Sequence, residues 1–269
     1  MWIEKNKNRG DRLKLVSVPF NGGCLGKNIG CEKAPKAILK GKEFQNLKVD
    51  NRNIINSNKI LENVEGDFFI GGDHSITYSL FKGFVKNKNK KNIGIVVFDA
   101  HPDCVNNFSP PTHEDFLRTL IEEYILKPEN VLIIGIRAIE KIEKEFIEKN
   151  QIKHVLMNDL KDENSYSQLI NQIKSFVSKF DSWYLSLDID VLDPLYAPGT
   201  GYPEEKGMGL DNLKNILKNI SNLKNLGRID LVEVNPDKDI NNKTVNCAKE
   251  ILNIFEEKPT DLKTNYLFN

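Results

Sequence analysis

The chain has 269 residues, of which 39% are hydrophobic and 28% are charged. A chain of this length and composition can bury a substantial core, which excludes a disordered protein. Its 38 Lys and Arg residues balance its 38 Asp and Glu residues. Charge therefore gives no reason to expect nucleic acid or an anionic membrane as a partner. No apolar run reaches the roughly 18 residues that a membrane-spanning helix needs.

The first residues and the cysteines bear on the cellular compartment. The opening stretch, MWIEKNKNRGDRLK, is polar and lacks the apolar segment of a signal peptide. The four cysteines are Cys24, Cys31, Cys104 and Cys247, and they form no CxxC pair. Their number and spacing favour neither a disulfide framework nor a zinc site. We therefore expect a cytoplasmic protein.

Short β-rich runs and helical patterns alternate along the chain. The predicted strands cover residues 15–20, 67–70, 93–98, 131–136, 154–157, 183–187 and 229–232. The predicted helices cover residues 75–84, 113–126, 139–149, 167–180, 210–220 and 243–255. Most strand runs are continuously apolar, which is typical of strands buried on both faces. The uninterrupted alternation predicts one α/β domain over residues 1–269, with three layers around a doubly wound, mainly parallel sheet.

Three of the four histidines lie in polar segments at the ends of predicted strands. His74 is in FIGGDHS, His101 is in VVFDAHPD, and His113 follows ten residues after Asp103. In an extended backbone the side chains of Asp99, His101 and Asp103 project to the same side, because side chains alternate along a strand. The fourth histidine lies among apolar neighbours in QIKHVLMND, which predicts an ordinary packed or half-exposed residue.

A second acidic pair follows the strand at 183–187. In SLDIDVLDP, Asp188 and Asp190 have the same two-residue spacing as the first group. Four carboxylates at one sheet edge would repel one another unless a cation held them. Oxygen ligands with a minority of histidine suit a divalent ion such as Mn²⁺ better than a structural Zn²⁺, and this many carboxylates can bridge two ions.

Each motif alone has an ordinary structural explanation. A DxD pair can be part of a loop, and GGDHS can form a turn followed by a helix cap. All of them, however, fall at the ends of strands, where open α/β sheets place their ligand sites. The combination therefore favours a metal centre.

These motifs resemble those of the ureohydrolase superfamily, which includes arginases and agmatinases. The matching stretches are GGDHS (71–75), FDAHPD (98–103), SLDIDVLDP (186–194), APGTG (197–201) and LVEVNP (231–236). The stretch VPFNGGCLGKNIGCEKAPKAIL resembles the opening strand, loop and first helix of the family. The resemblance spans residues 16–251. It implies an arginase-like fold and a homo-oligomer, either a trimer or a hexamer.

The resemblance also implies a site with two Mn²⁺ ions, which lower the pKa of a water molecule that attacks the guanidinium carbon. In this chain, one ion would be held by His74 and Asp103, the other by His101 and Asp190, and both by the bridging Asp99 and Asp188. Asp103 would also hydrogen-bond the nucleophile. Glu233 would pair with the guanidinium nitrogens, and His113 would carry a proton to the leaving amine.

The substrate is less clearly indicated. The short loop between Asp103 and His113 resembles agmatinases, and Val105 stands where arginases have an Asn that binds the α-carboxylate of arginine. The stretches LVEVNP and TVNCA resemble arginases instead. Tyr202 stands where relatives usually have a Thr, close to the guanidinium pocket, so we predict that it contacts the substrate.

Acidic residues in the loops bear on the same choice. They are Glu114, Asp115, Glu204 and Glu205, and they either favour a cationic substrate tail or are simply solvated charges. We expect an agmatinase-like enzyme, with arginine or another guanidino or formimino compound as the alternative. A different metallohydrolase would not need Glu233. A non-catalytic binding protein would not need the complete ligand set.

Overall fold

Eight strands form one parallel sheet in residues 13–86 and 92–256, the part of the chain that the computed structural model describes. The strands are β1 (Leu15–Ser17), β2 (Gln45–Asn46), β3 (Phe68–Ile70), β4 (Ile93–Phe98), β5 (Val131–Ile136), β6 (Lys153–Leu156), β7 (Ser182–Asp188) and β8 (Leu226–Val232). Their order in the sheet is β2-β1-β3-β8-β7-β4-β5-β6, and every pair is parallel. The predicted parallel sheet is confirmed.

Within the described residues, seven α-helices connect successive strands, and an eighth follows β8. They are α1 (Ala34–Ile38), α2 (Ile54–Glu62), α3 (Ile76–Lys86), α4 (Phe116–Glu122), α5 (Lys141–Asn150), α6 (Glu163–Val177), α7 (Leu210–Ile220) and α8 (Lys243–Glu256). In the described residues, none of these helices combines the length and the apolar character needed to cross a bilayer.

Two apolar clusters lie on opposite faces of the sheet. In β4, Val96 and Phe98 belong to the cluster that packs against α1, α6, α7 and α8, whereas Ile95 and Val97 belong to the cluster that packs against α2 to α5. Successive side chains of a strand point to opposite faces, so a strand covered by helices on both sides is apolar throughout. The three-layer, doubly wound architecture follows from this and is confirmed.

The apolar pattern missed β2 and α2. The two residues of β2 are exposed. In α2, only Ser57 and Leu61 are buried, so its apolar stripe is too sparse to stand out. Tertiary packing against α3 holds α2 in place instead. The two helices approach so closely that a Cβ at Gly83 of α3 would lie 2.1 Å from the carbonyl oxygen of Glu62, the last residue of α2.

The predicted helix at 113–126 begins later than expected, at Phe116. Asp115 accepts hydrogen bonds from the Thr112 amide at 2.6 Å and from the Phe108 amide at 2.6 Å. These bonds satisfy loop amides and keep residues 105–113 folded as a loop ahead of the helix. His113 therefore belongs to the loop.

The sheet order brings four carboxyl ends together. β3, β8, β7 and β4 are consecutive in the sheet, although β3 and β4 are far from β7 and β8 in the chain. A crevice forms at the carboxyl ends where the direction of strand connection reverses, and ligands bind there in open α/β folds. The polar motifs of the sequence follow these four strands.

Candidate active site

Four strand ends supply the polar side chains of the site. His74 follows β3, and Glu233 follows β8. The remaining ligand candidates follow β4 or lie at the end of β7, and they are Asp99, His101, Asp103, Asp188 and Asp190. The structure brings together all six residues that the resemblance implied as metal ligands.

The imidazole of His74 faces three carboxylates. Its Nδ1 atom lies 3.1 Å from Asp99 Oδ2, and it lies 3.0 Å from Asp103 Oδ2. A third oxygen, Asp188 Oδ2, lies 3.1 Å away. Because all these groups are buried, their polar atoms need partners of opposite charge.

A second group shares Asp99 with the first. His101 Nδ1 lies 3.1 Å from Asp190 Oδ2 and 3.5 Å from Asp99 Oδ1. The two oxygens of Asp99 thus face different histidines, as a bridging carboxylate requires.

The donor atoms fit metal ions. Two groups could each hold one ion, namely His74 with Asp99 and Asp103, and His101 with Asp99 and Asp190. His74 Nδ1 and Asp99 Oδ2 are buried without a hydrogen-bond partner, although each has oppositely charged atoms near 3 Å. Buried nitrogen and oxygen atoms that point at one another but form no hydrogen bond are arranged to bind a cation placed between them.

Without a cation, the histidines and most carboxylates of the site bind protons more strongly than the same groups do in water. Burial and the charge of Asp99 raise the pKa of Asp103 to about 8. Burial lowers the pKa of His101, but Asp190 and Asp99 outweigh it and raise this pKa to about 12. Burial likewise opposes the charge of His74, yet Asp103, Asp188 and Asp99 raise its pKa well above the ordinary range. Protons therefore neutralise the cluster when no ion does.

Residues behind His74 set its tautomer. The hydroxyl of Ser186 donates to Asp230 Oδ1 at 2.6 Å, so at His74 Nε2, 2.9 Å away, this hydroxyl can only accept. His74 Nε2 therefore carries the proton in the neutral ring and leaves Nδ1 free for an ion. Sequence reasoning missed this pair, although Asp230 within the apolar strand run RIDLV was a detectable signal.

Glu233 and His113 meet beside the cluster. Glu233 Oε1 accepts a hydrogen bond from the His74 amide at 2.6 Å and lies 3.2 Å from His113 Nδ1. Both side chains are buried. Burial lowers the pKa of His113, but the nearby Glu233 outweighs it and raises this pKa to about 9. A carboxylate and a histidine thus stand next to the ligand candidates, where a substrate could touch both.

Tyr202 covers part of the opening. Its hydroxyl donates to Glu114 Oε1 at 2.7 Å. Its ring stacks on His113 with centroids 5.8 Å apart and meets the edge of His101 at 5.8 Å. Tyr202 therefore forms a wall between two loops beside the metal candidates.

The cavity at this place has a volume of about 290 Å³. Beyond the ligand candidates it is lined by Val105, His113, Glu114, Ala138, Ile139, Glu140, Glu143, Tyr202, Glu204 and Glu233. No Lys or Arg is among the described residues that line it. The prediction of acidic residues at the pocket mouth holds for Glu114 and Glu204.

Two other acidic residues do not line the cavity. Asp115 is buried within the loop, where it accepts the backbone bonds described above, and Glu205 is exposed. Glu140 and Glu143 were not predicted to line the cavity, because both come from the region of α5 and approach only in the folded chain. His154 lies on the edge strand β6, away from the site, and is exposed.

Comparison with known proteins identifies the family. A sequence model of the arginase family matches residues 41–255. The chain belongs to the arginase family. Members of this family are hydrolases that cleave C–N bonds of guanidino compounds, and they depend on two metal ions, usually Mn²⁺. The predicted ureohydrolase resemblance and the hydrolase class are confirmed.

Individual relatives agree with this assignment. Arginase from Bacillus subtilis is 30% identical and aligns with 93% of this chain and 86% of its own. Its crystal structure matches with a TM-score of 0.81 and 26% identity, over 93% of this chain and 100% of that one. An uncharacterised 32.2 kDa protein of Methanothermus fervidus is 34% identical over the aligned residues. The alignment covers 67% of this chain and 59% of that protein.

The fold is also shared with the agmatine ureohydrolase of Thermoplasma volcanium. The TM-score is 0.75 at 21% identity, over 92% of this chain and 89% of that one. The scaffold is therefore common to enzymes with different named substrates, so the substrate must be argued from the cavity.

Proposed function

We propose that this arginase-family enzyme is a Mn²⁺-dependent agmatinase that converts agmatine to putrescine and urea. The cavity lining carries the proposal. Five glutamates and no Lys or Arg line it beyond the ligand candidates, among the described residues. A substrate tail that ends in an amine is attracted to such a lining, whereas a carboxylate is repelled.

In this proposal, one ion would be held by His74 and Asp103 and the other by His101 and Asp190, with Asp99 and Asp188 as ligands that both could use. When bound, the two ions lower the pKa of a water molecule so that it can attack the guanidinium carbon at neutral pH. Asp103 would accept a hydrogen bond from the attacking water and would take the proton that the water loses.

Glu233 and His113 act on the substrate. A guanidinium group presents a planar fork of N–H donors, and the carboxylate of Glu233 is the matching acceptor. His113 lies against Glu233, with Nε2 buried and without a hydrogen-bond partner. That nitrogen is placed to pass a proton to the leaving amine, and Tyr202 packs over its ring and bounds the space for the substrate tail.

Arginine is the second candidate, because arginase from Bacillus subtilis is 30% identical to this chain. An arginine α-carboxylate needs donors at the mouth of the cavity. Asn106, Asn107 and Ser109 are exposed and absent from its lining, and the Asn107 amide donates to Glu122 instead. These positions weigh against arginine.

Urea release from the Mn²⁺-loaded protein tests the proposal. The panel contains agmatine, arginine, guanidinobutyrate and guanidinopropionate, with formamide release measured for formiminoglutamate. We expect the highest kcat/KM with agmatine. A higher kcat/KM with arginine would identify an arginase, and inactivity on the whole panel with two Mn²⁺ bound per chain would contradict both assignments.

We further infer that residues 1–269 form one domain of a cytoplasmic homo-oligomer, either a trimer or a hexamer. The continuous eight-stranded sheet supports the single domain. Light scattering during size-exclusion chromatography tests the oligomer, and a monomeric mass would contradict it.

A further inference from the structure

We propose that Asn28 is a positioning residue, whose side-chain amide holds the Glu233 carboxylate in the orientation that receives the substrate guanidinium. The inference rests on the guanidinium-binding role proposed above for Glu233. Asn28 lies in the loop between β1 and α1, separated from Glu233 by 205 positions in the chain. Only the fold brings the two side chains into contact.

Asn28 holds Glu233 at two points. Its Nδ2 atom donates to Glu233 Oε2 at 2.6 Å and to the main-chain oxygen of Glu233 at 3.1 Å. The other carboxylate oxygen, Oε1, accepts from the His74 amide at 2.6 Å. Because each oxygen is held by a different donor, the carboxylate cannot rotate freely. Asn28 is fully buried, so water does not compete for this bond.

The direction of the amide is fixed by a chain of bonds. Asn235 Oδ1 accepts from the Asp237 amide at 3.0 Å, so the Nδ2 of Asn235 faces Asn28. That nitrogen donates to Asn28 Oδ1 at 2.6 Å, and Asn28 must then present its own NH₂ group to Glu233. The loop can approach Asn235 only with glycine at position 30, where φ is +111° and a Cβ would lie 2.6 Å from Asn235 Oδ1.

A neutral donor suits this role. An amide fixes the carboxylate without placing a further positive charge beside it. A Lys or Arg in the same place would form an ion pair with Glu233 and compete with the substrate. Asn28 therefore orients Glu233 for the guanidinium without competing with it as a second cation.

Asn28→Asp tests the proposal, because it replaces the donating NH₂ with an oxygen of nearly the same size. Asn21→Asp is the matched control. Asn21 lies in the same loop and donates from Nδ2 to Glu32 Oε2 at 2.6 Å, away from the site. For agmatine we expect KM to rise at least tenfold in Asn28→Asp, while kcat stays within about threefold and Mn²⁺ content is unchanged. We expect the KM of Asn21→Asp to stay within threefold of the wild type.

Asn235→Ser is a milder second variant, which frees the Asn28 amide to turn. We expect the KM of Asn235→Ser to rise as well. We expect the double variant, Asn28→Asp combined with Asn235→Ser, to have the same KM as Asn28→Asp alone, because both substitutions act through one contact. A KM for Asn28→Asp equal to that of Asn21→Asp would overturn the proposal. Loss of Mn²⁺ from Asn28→Asp would also overturn it, because the role would then be structural.

A binding measurement separates this inference from the proposed function. Paramagnetic relaxation of ¹³C-labelled guanidinium by the Mn²⁺-loaded protein reports binding without turnover. We expect guanidinium to bind at least tenfold more weakly to Asn28→Asp than to the wild type or Asn21→Asp. A wild type that neither binds guanidinium nor releases urea would overturn the proposed function, and this inference with it. A wild type that does either, beside an Asn28→Asp that matches the control, would overturn the inference alone.

Discussion

Two of the proposed catalytic residues have a backbone conformation that side-chain-bearing residues rarely adopt. Asp103 has φ of +51°, and Glu233 has φ of +64°. Neighbouring bonds hold both positions. The Cys104 amide donates to Glu143 Oε1 at 3.0 Å, and the Glu233 amide donates to the Gly72 carbonyl at 2.7 Å. Strain at single residues persists where the surroundings enforce it, and two of the nine such non-glycine positions among the described residues are proposed to act on the substrate or the attacking water.

Asp99→Asn is predicted to abolish Mn²⁺ binding and activity together. Asp99 faces both histidines of the cluster, so its loss would weaken both ion sites. Metal content and urea release check this. Asp193→Asn is the control, because Asp193 accepts from the Leu195 and Gly207 amides in a turn and lies outside the cluster. An active Asp99→Asn with two ions bound would contradict the bridging role.

His113→Ala is predicted to lower kcat by roughly 10²-fold or more while Mn²⁺ content stays at the wild-type level, as expected for loss of a proton carrier. Steady-state kinetics and metal analysis check both parts. His154→Ala is the control, since His154 is exposed on the edge strand, and it should leave kcat unchanged. Loss of Mn²⁺ from His113→Ala would mean that the histidine supports the metal site instead.

At the scale of elements, one buried arginine links two strands, one helix and the segment after α2. Arg228 of β8 donates from Nη1 to the Leu80 carbonyl at 2.8 Å and from Nη2 to the Val64 carbonyl at 3.1 Å. Its guanidinium also lies over the rings of Phe69 and Phe84, at 4.9 and 5.7 Å from their centroids. Arg228 thereby links β8 and β3 to α3 and to the segment after α2.

Arg228→Lys is predicted to lower the free energy of unfolding by about 2 kcal/mol, because one ammonium group cannot make both carbonyl bonds and stack between two rings. Urea denaturation checks this. In Arg118→Lys, the control, the Nε bond to Glu122 is near the surface, and the loss should stay below about 1 kcal/mol. Equal losses in the two variants would contradict the role of Arg228.

For the molecule as a whole, metal binding is coupled to the release of protons. In the metal-free protein, His101 has a pKa of about 12 and Asp103 has a pKa of about 8, so both hold protons at pH 7. An ion needs the neutral imidazole and the ionised carboxylate, and binding must therefore release these protons. Affinity for the ion consequently rises with pH.

Mn²⁺ binding at pH 7 is predicted to release more than one proton per chain. Calorimetry in buffers of different ionisation enthalpy measures the number directly. The apparent affinity should increase between pH 6 and pH 8, and acidification should remove the metal. A heat of binding that is independent of the buffer would contradict this coupling.

The sequence by itself determined the architecture and the ligand types. Continuous apolar strands alternating with amphipathic helices permit only a sheet covered on both faces, because each apolar face must be buried. The D-A-H-P-D spacing predicted three side chains on one side of the chain, and these lie together in the structure. Such patterns are local, so they can be read from neighbouring residues.

Only the tertiary structure decided which distant residues meet. The contact of Asn28 with Glu233, the bond of Ser186 to Asp230 and the glutamates that α5 brings to the cavity join segments far apart in the chain. Apolar periodicity does not predict such contacts, because they depend on the order of the strands in the sheet and on the paths of the loops. The cluster of candidate ligands was therefore predictable from sequence, whereas the partners that orient Glu233 and His74 became evident only in the folded chain.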